Sequence, residues 1–201
     1  MKGKIIENIS NLYKVEANKE IYEATARGKF KKDEITPVVG DNVEIEIIDE
    51  QERKAVINKI EERSVYVKRP KMANLSQIVL VVSMKLPKPD LELLDKQLVY
   101  AEYLRIKPII CLNKVDLVDE NIAFSIANTY RKIGYEVILT NAKSGDGMDD
   151  LKAKFQNQIT AFSGNSGVGK STLINKLFGK DITDEGQISG KNKRGKNTTT
   201  Q

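Results

Sequence analysis

With 201 residues, 40% of them hydrophobic and 30% charged, and a net charge of +5, the chain has the composition of an ordinary soluble globular protein, with room for one large domain or two smaller ones. No run approaches the roughly 18 apolar residues of a membrane helix, and Met1-Lys2-Gly3-Lys4-Ile5-Ile6-Glu7 lacks the apolar region and cleavage site of a signal peptide, so no membrane partner is expected. The single cysteine, Cys111, excludes an internal disulfide and fits a cytoplasmic location, while the absence of histidine removes a histidine base and the usual zinc clusters from these residues.

Residues 1–70 read as all-β. Short, half-alternating segments recur at 3–9, 11–16, 21–30, 42–48, 55–60 and 64–68. Turn signals separate them, including Asn18-Lys19, Thr36-Pro37 and Val39-Gly40-Asp41-Asn42. Five or six short strands in this length suit a small barrel, with the OB-fold as the leading candidate. Arg27, Lys29, Lys31 and Lys32 cluster near one strand and turn, as a nucleic-acid groove would require. Tyr13, Tyr22, Phe30 and Tyr66 are either stacking platforms for bases or barrel core, and core is the favoured reading for most of them.

Arg69-Pro70-Lys71 marks the expected boundary between this barrel (1–70) and a second domain (71–201), because proline biases its predecessor away from helix and the pattern then changes. Residues 77–82 form a continuous apolar run, as a strand covered on both faces requires. A helix is predicted over 91–104, with Asp90 as its N-cap, then a strand at 108–112 and a helix over 121–133 stopped by Gly134. A strand at 135–139, a helix over 148–155 and a strand at 158–163 follow. This alternation predicts a mostly parallel sheet between layers of helices.

The stretch after the last strand, Gly164-Asn165-Ser166-Gly167-Val168-Gly169-Lys170-Ser171-Thr172, fits GxxxxGK[ST]. Glycines let successive backbone N–H groups turn toward phosphate oxygens, and a helix beginning near Lys170 adds its positive end. Lys170 is the candidate contact to the outer phosphates, and Ser171 the candidate ligand of Mg2+. Earlier in the chain, Asn113-Lys114-Val115-Asp116 follows the strand at 108–112, at a strand end where open α/β sheets bind ligands. The Asp116 carboxylate can accept two parallel hydrogen bonds, from the ring N–H and the exocyclic amino group of guanine. Adenine would leave that carboxylate unpaired, at a cost of about 1–3 kcal/mol. Asn113 would brace the loop, and the Lys114 stem would cover the ring face. The turn containing Asn141, Ala142 and Lys143 would offer backbone N–H groups to the guanine oxygen. Thr199 or Thr200, beyond the phosphate loop, would close over Mg2+ and the γ-phosphate. The basic residues Lys191, Lys193, Arg194 and Lys196, with no acid among residues 187–201, suggest either a polyanion nearby or a solvated end.

The base motif thus precedes the phosphate loop, the reverse of the common order. With Pro37-Val38-Val39-Gly40-Asp41 in the barrel and residues 195–200 at the end, the whole chain resembles the circularly permuted GTPases that act in maturation of the small ribosomal subunit, the RsgA or YjeQ family. The resemblance implies an N-terminal OB domain that docks on ribosomal RNA and a permuted domain that hydrolyses GTP to GDP when stimulated by the small subunit. A monomer is expected. The family continues with an Asp-x-Pro-Gly segment for Mg2+ and the attacking water, and with a zinc-binding Cys/His domain. Neither occurs in these 201 residues, so the sequence is expected to be a truncated version of a longer protein. Asn197 stands where the family often has histidine, so no role of that histidine carries over. Guanine-nucleotide binding is expected, with slow or absent hydrolysis in this fragment. The rival readings are an RNA-binding module that uses guanine nucleotide only as a conformational switch, and an unrelated ATPase, against which Asp116 argues.

Overall fold

The computed structural model describes residues 1–28, 30, 35–68 and 71–179. The chain divides into two compact units, the first running over Met1–Leu75 and the second beginning at Ser76.

The first unit is a closed barrel of β1 (Lys2–Ile9), β2 (Leu12–Ala17), β3 (Glu20–Ala26), β4 (Asn42–Asp49) and β5 (Lys54–Ile60), in the order β1-β2-β3-β5-β4. Strict alternation builds it: Tyr13, Val15 and Ala17 of β2 point into the core, while Leu12 and Glu16 are exposed. The first two hairpins turn on Ser10-Asn11 and Asn18-Lys19, all at positive φ, the geometry whose twist matches the strands. β1 pairs with both β2 and β4, bulging between Ile5 and Glu7, which bends it around the barrel. Ile5, Tyr13, Val15, Tyr22, Ala24, Phe30, Val43, Ile45 and Ile57 fill the interior. Tyr13, Tyr22 and Phe30 are therefore core, not base-stacking platforms. The strand expected to reach Phe30 ends at Ala26, because Phe30 turns inward and donates its N–H to the Arg27 carbonyl at 3.2 Å. Arg27 is paired with Glu46, and Lys29, Lys31 and Lys32 lie outside the described residues.

A ribbon of β6 (Tyr66–Lys68) and β7 (Lys71–Ala73) follows the barrel. β7, too short to show a period, was not anticipated. Asp41 and Arg63 hold the ribbon's approach to the barrel. Asp41 is fully buried and accepts two hydrogen bonds from the Arg63 guanidinium, Nε to Oδ1 at 2.7 Å and Nη2 to Oδ2 at 2.8 Å. Oδ2 also accepts from the Val38 N–H at 2.8 Å, and the guanidinium lies 4.8 Å from the centre of the Tyr66 ring.

The second unit is a four-stranded parallel sheet in the order β10-β9-β8-β11, from β8 (Gln77–Ser83), β9 (Lys107–Asn113), β10 (Glu136–Thr140) and β11 (Thr160–Ser163). Its helices are α1 (Leu91–Tyr103), α2 (Glu120–Lys132), α3 (Met148–Lys152) and α4 (Lys170–Phe178). The apolar strand runs are two alternations superimposed. Leu80, Val82, Ile110, Leu112 and Val137 pack with Leu94 and Leu98 of α1 and Ala123 and Ala127 of α2. Val79, Val81, Ile109, Cys111 and Ile138 pack with Leu151 of α3 and Leu173 and Leu177 of α4. The helix expected over 148–155 is α3 followed by a 3-10 turn at Ala153–Phe155, and the strand before the phosphate loop starts at Thr160 instead of residue 158. Asp90 caps α1 as expected, accepting the Leu93 N–H at 3.0 Å.

Candidate nucleotide site

Because all four strands are parallel, their carboxyl ends open on one edge of the sheet. Asn113, the last residue of β9, pairs in register with Ser83 of β8 and Thr140 of β10, while Ser163 ends β11 beside Leu80. The base motif, the Asn141 turn and the phosphate loop leave from three of these ends, and residues 84–90 leave from the fourth.

Backbone geometry makes the phosphate loop. Gly164, Gly167 and Gly169 all take positive φ. At Gly169 a Cβ would lie 2.3 Å from the Asn113 amide nitrogen, and at Gly164 one would lie 2.3 Å from the Val81 carbonyl oxygen. Side chains there would displace the base motif and β8, so glycine is required at both places. Lys170 opens α4 and folds back over the loop, donating to the carbonyls of Gly164 and Asn165 at 2.9 Å each. Burial pulls its pKa below the ordinary lysine range. Ser171 is buried in the first turn of α4, and Thr172 beside it is half-buried. The first-turn amides of any helix lack partners within it, so this end of α4 favours an anion. Val168 anchors the loop in the core between β8 and α4, and Ser166 and Gly167 are half-buried around it.

Asn113 joins the three loops. It is 1% exposed. Its amide nitrogen donates to the Val168 carbonyl of the phosphate loop at 2.9 Å. Its amide oxygen accepts from the Thr140 hydroxyl at 3.2 Å and the Ala142 N–H at 3.3 Å. Lys114, held at positive φ, extends across the phosphate loop and donates to the Gly167 carbonyl at 2.7 Å and to the Leu86 carbonyl. Burial first, then the neighbouring charge of Lys143, lowers its pKa, against an opposing pull from Asp116. Val115–Leu117 form a 3-10 turn that carries Asp116 to an exposed position beyond the sheet edge. Asn141 shapes the next loop by accepting the N–H groups of Lys143 and Ser144 at 3.1 and 3.4 Å; Lys143 is exposed, Ala142 buried.

Of the residues expected at the site, all from Asn113 to Asp116, Asn141 to Lys143 and Gly164 to Thr172 come to this one edge. Thr199 and Thr200, like the basic stretch before them, lie outside the described residues. Two participants had no motif to announce them. Thr140 is fully buried and bridges Asn113 to the Cys111 sulfur, 3.3 Å away. Its only sequence signal is its place between the strand expected at 135–139 and the Asn141 turn; in the structure it is the last residue of β10. Leu86 takes part through a backbone carbonyl, which no side-chain pattern reports.

The chain matches the family described as RsgA GTPase over residues 51–201 and the RsgA N-terminal domain over residues 2–57. The chain belongs to the RsgA GTPase family. Among curated relatives, the small ribosomal subunit biogenesis GTPase RsgA of Alkaliphilus metalliredigens is 43% identical over 98% of this chain, and that of Clostridium botulinum (strain Eklund 17B / Type B) is 46% identical over 99%. The chain spans 68% of the length of each. Among solved structures, YjeQ from Thermotoga maritima superimposes with a TM-score of 0.77 at 33% identity, over 88% of this chain and 64% of that one. YloQ, described as a circularly permuted GTPase, gives 0.73 at 37% identity, over 87% of this chain and 63% of that one. The RsgA family thus accounts for both the closed barrel and the sheet whose base motif precedes its phosphate loop.

Proposed function

We propose that this chain binds GTP and GDP at the carboxyl edge of its parallel sheet and is the nucleotide-handling part of a GTPase acting late in maturation of the small ribosomal subunit. The observation that carries the proposal is the Asn113 amide, which ties the guanine-type motif to the phosphate loop at 2.9 Å. One short bond holds the two ends of a nucleotide pocket at a fixed separation.

In this reading Asp116 accepts the guanine N1–H and amino group, and Lys114 covers the ring. Residues 141–143 offer N–H groups to the guanine oxygen, and residues 164–172 cradle the phosphates. Lys170, already over the loop, exchanges its two carbonyl partners for phosphate oxygens. The donor set also fits Mg2+: a hydroxyl at Ser171 in the first turn of α4, beside the glycine-rich phosphate loop, suits a hard cation shared with phosphates. When bound, that ion neutralises charge on the outer phosphates, and Thr199 and Thr200 are proposed as its further contacts. No described residue is assigned to the attacking water, and hydrolysis by this chain alone is proposed to be slow.

The barrel is the proposed contact to ribosomal RNA. With Tyr13, Tyr22 and Phe30 in its core, half-buried Tyr66, beside the Arg63 guanidinium, is the candidate platform left outside the core, and the contact is proposed to rest mainly on charge and shape. The relatives' names support the small subunit as partner. No helix among the described residues is long and apolar enough to cross a membrane, and a cytoplasmic monomer is the proposed state.

Titration with GDP and ADP tests the site, with Asp116→Asn as the diagnostic variant. Wild type is expected to favour GDP by at least tenfold. Asn at 116 offers one acceptor and one donor, matching xanthine, whose amino group is replaced by a carbonyl. The variant should therefore weaken GDP and strengthen xanthosine diphosphate. Equal affinity of wild type for GDP and ADP would refute the guanine assignment. Phosphate release with and without small ribosomal subunits tests the ribosomal assignment, and a rate indifferent to them would favour a binding module without catalysis.

A further inference from the structure

Helix α1 belongs to neither nucleotide motif, yet it meets the phosphate loop at two points. Asp90, its N-cap, uses Oδ1 to accept the Leu93 N–H at 3.0 Å and Oδ2 to accept the side-chain amide of Asn165 at 3.1 Å. Two turns further on, Gln97 donates from Nε2 to the Ser163 hydroxyl at 2.9 Å. Ser163 and Asn165 flank Gly164, the first glycine of the loop. The carbonyls of Gly164 and Asn165 are the two acceptors of the Lys170 ammonium group. The contacts therefore form a chain: α1 holds the side chains on either side of Gly164, and the backbone between them holds Lys170. The segment leading into α1 is tied to the base motif as well, since the Leu86 carbonyl accepts from Lys114 and the Met84 N–H donates to the Asn113 carbonyl at 2.9 Å.

We infer that Asp90 and Gln97 are positioning residues for nucleotide binding, bracing the entry of the phosphate loop so that Lys170 is held ready for phosphate. This rests on the proposed nucleotide site and extends it to residues outside every motif. A loop that must place several N–H groups and one ammonium loses affinity when its entry is free to rock, because ordering it on binding then costs conformational entropy. The brace reduces that cost before the nucleotide arrives. Its signature is slower nucleotide release, with little effect on which base is chosen.

The dual use of Asp90 allows a clean test. Serine caps helices as well as aspartate does, but its single short hydroxyl cannot also serve Asn165. Asp90→Ser therefore keeps α1 and removes the Asp90 half of the brace, leaving Gln97 on Ser163. Gln97→Ala removes the other half and is expected to speed release as well. Asp90→Asn keeps both the cap and the Asn165 contact, because the Asn165 amide can turn over and accept from the new Nδ2. The measurement is the dissociation rate of a fluorescent GDP analogue from the 201-residue chain, alongside its melting temperature. Asp90→Ser is expected to release GDP about fivefold faster, the size of one hydrogen bond to a charged group weakened by solvent at an exposed site, with an unchanged melting temperature. Asp90→Asn should stay within twofold of wild type, and adding Asp90→Ser to Asn165→Ala should add nothing. Wild-type release from Asp90→Ser, additive effects in the double variant, or faster release only in step with a lower melting temperature would each overturn the inference. Failure of wild type to prefer GDP over ADP would instead refute the guanine reading. The brace would then be tested by the same comparison on whichever diphosphate binds more tightly.

Discussion

Replacing Asn113 probes the joint between the three loops directly. Asn113→Ala removes one donor and one acceptor from a position 1% exposed. Three groups lose a partner: the Val168 carbonyl, the Ala142 N–H and the Thr140 hydroxyl. A buried polar group stripped of its partner costs about 1–3 kcal/mol. The full sum is not expected here. The hydroxyl of Thr140 remains beside the Cys111 sulfur at 3.3 Å, and the bonds at 3.2 and 3.3 Å are longer than the one at 2.9 Å. A net loss of about 2–3 kcal/mol follows. Asn113→Asp is nearly isosteric and sharper. Its outer oxygen would face the Val168 carbonyl, acceptor against acceptor, with a charge buried beside it. At pH 7 it should be at least as destabilising as alanine. Burial and the facing carbonyl raise the folded-state pKa of this new carboxyl above its unfolded value. The folded form then binds more protons than the unfolded one in the window between them, so stability should recover as pH falls from 7 toward 5. Urea unfolding of the second unit, followed by circular dichroism at pH 7 and pH 5, measures both effects. An alanine variant within 0.5 kcal/mol of wild type (an estimate set against the 1 kcal/mol typical of one bond), or an aspartate variant insensitive to pH, would refute the assignment of Asn113 as the joint.

Two further outcomes are expected. Arg63→Ala strands the Asp41 carboxylate, which is fully buried and otherwise held by the Val38 N–H. Removing one partner of a buried pair typically costs 3–5 kcal/mol, and the partial exposure of Arg63 argues for about 3. Thermal unfolding of the barrel should show the loss, while GDP affinity measured below that transition is unchanged. Cys111 is fully buried, and its thiol pKa is pushed up to about 12 by that burial. Between the unfolded value near 9 and the folded one, the unfolded chain loses the proton first, so stability falls as pH rises. The difference between wild type and Cys111→Ala should shrink above pH 9 by up to about 1.4 kcal/mol per pH unit. Native protein should also resist alkylation at pH 8 until urea unfolds it.

Local chemistry made much of this protein legible in its sequence. A phosphate loop is a backbone shape written in glycines, and Gly164, Gly167 and Gly169 take the positive φ that such a shape needs. The guanine motif is a short run at a strand end, and strand ends are visible where an apolar run stops. Alternation disclosed five barrel strands and buried runs disclosed the parallel sheet, because period and hydrophobicity are local properties. The order of the motifs did more than either motif alone, since a sheet edge assembled from strand ends permits permutation while the chain still records it.

Tertiary structure decided what depends on partners distant in sequence. That Tyr13, Tyr22 and Phe30 face inward follows from how the barrel closes, and an aromatic on a half-alternating strand reads the same whichever face is buried. The ribbon β7 is three residues long, too short for any periodicity. It exists because the second half of a hairpin is set by its neighbour. Thr140 joins the site only because parallel register brings it opposite Asn113. Asp90 could be read as a helix cap, and its first oxygen serves as one. Its second oxygen meets Asn165, 75 residues later in the chain, and only the packing of α1 against the entry of the phosphate loop brings the two together.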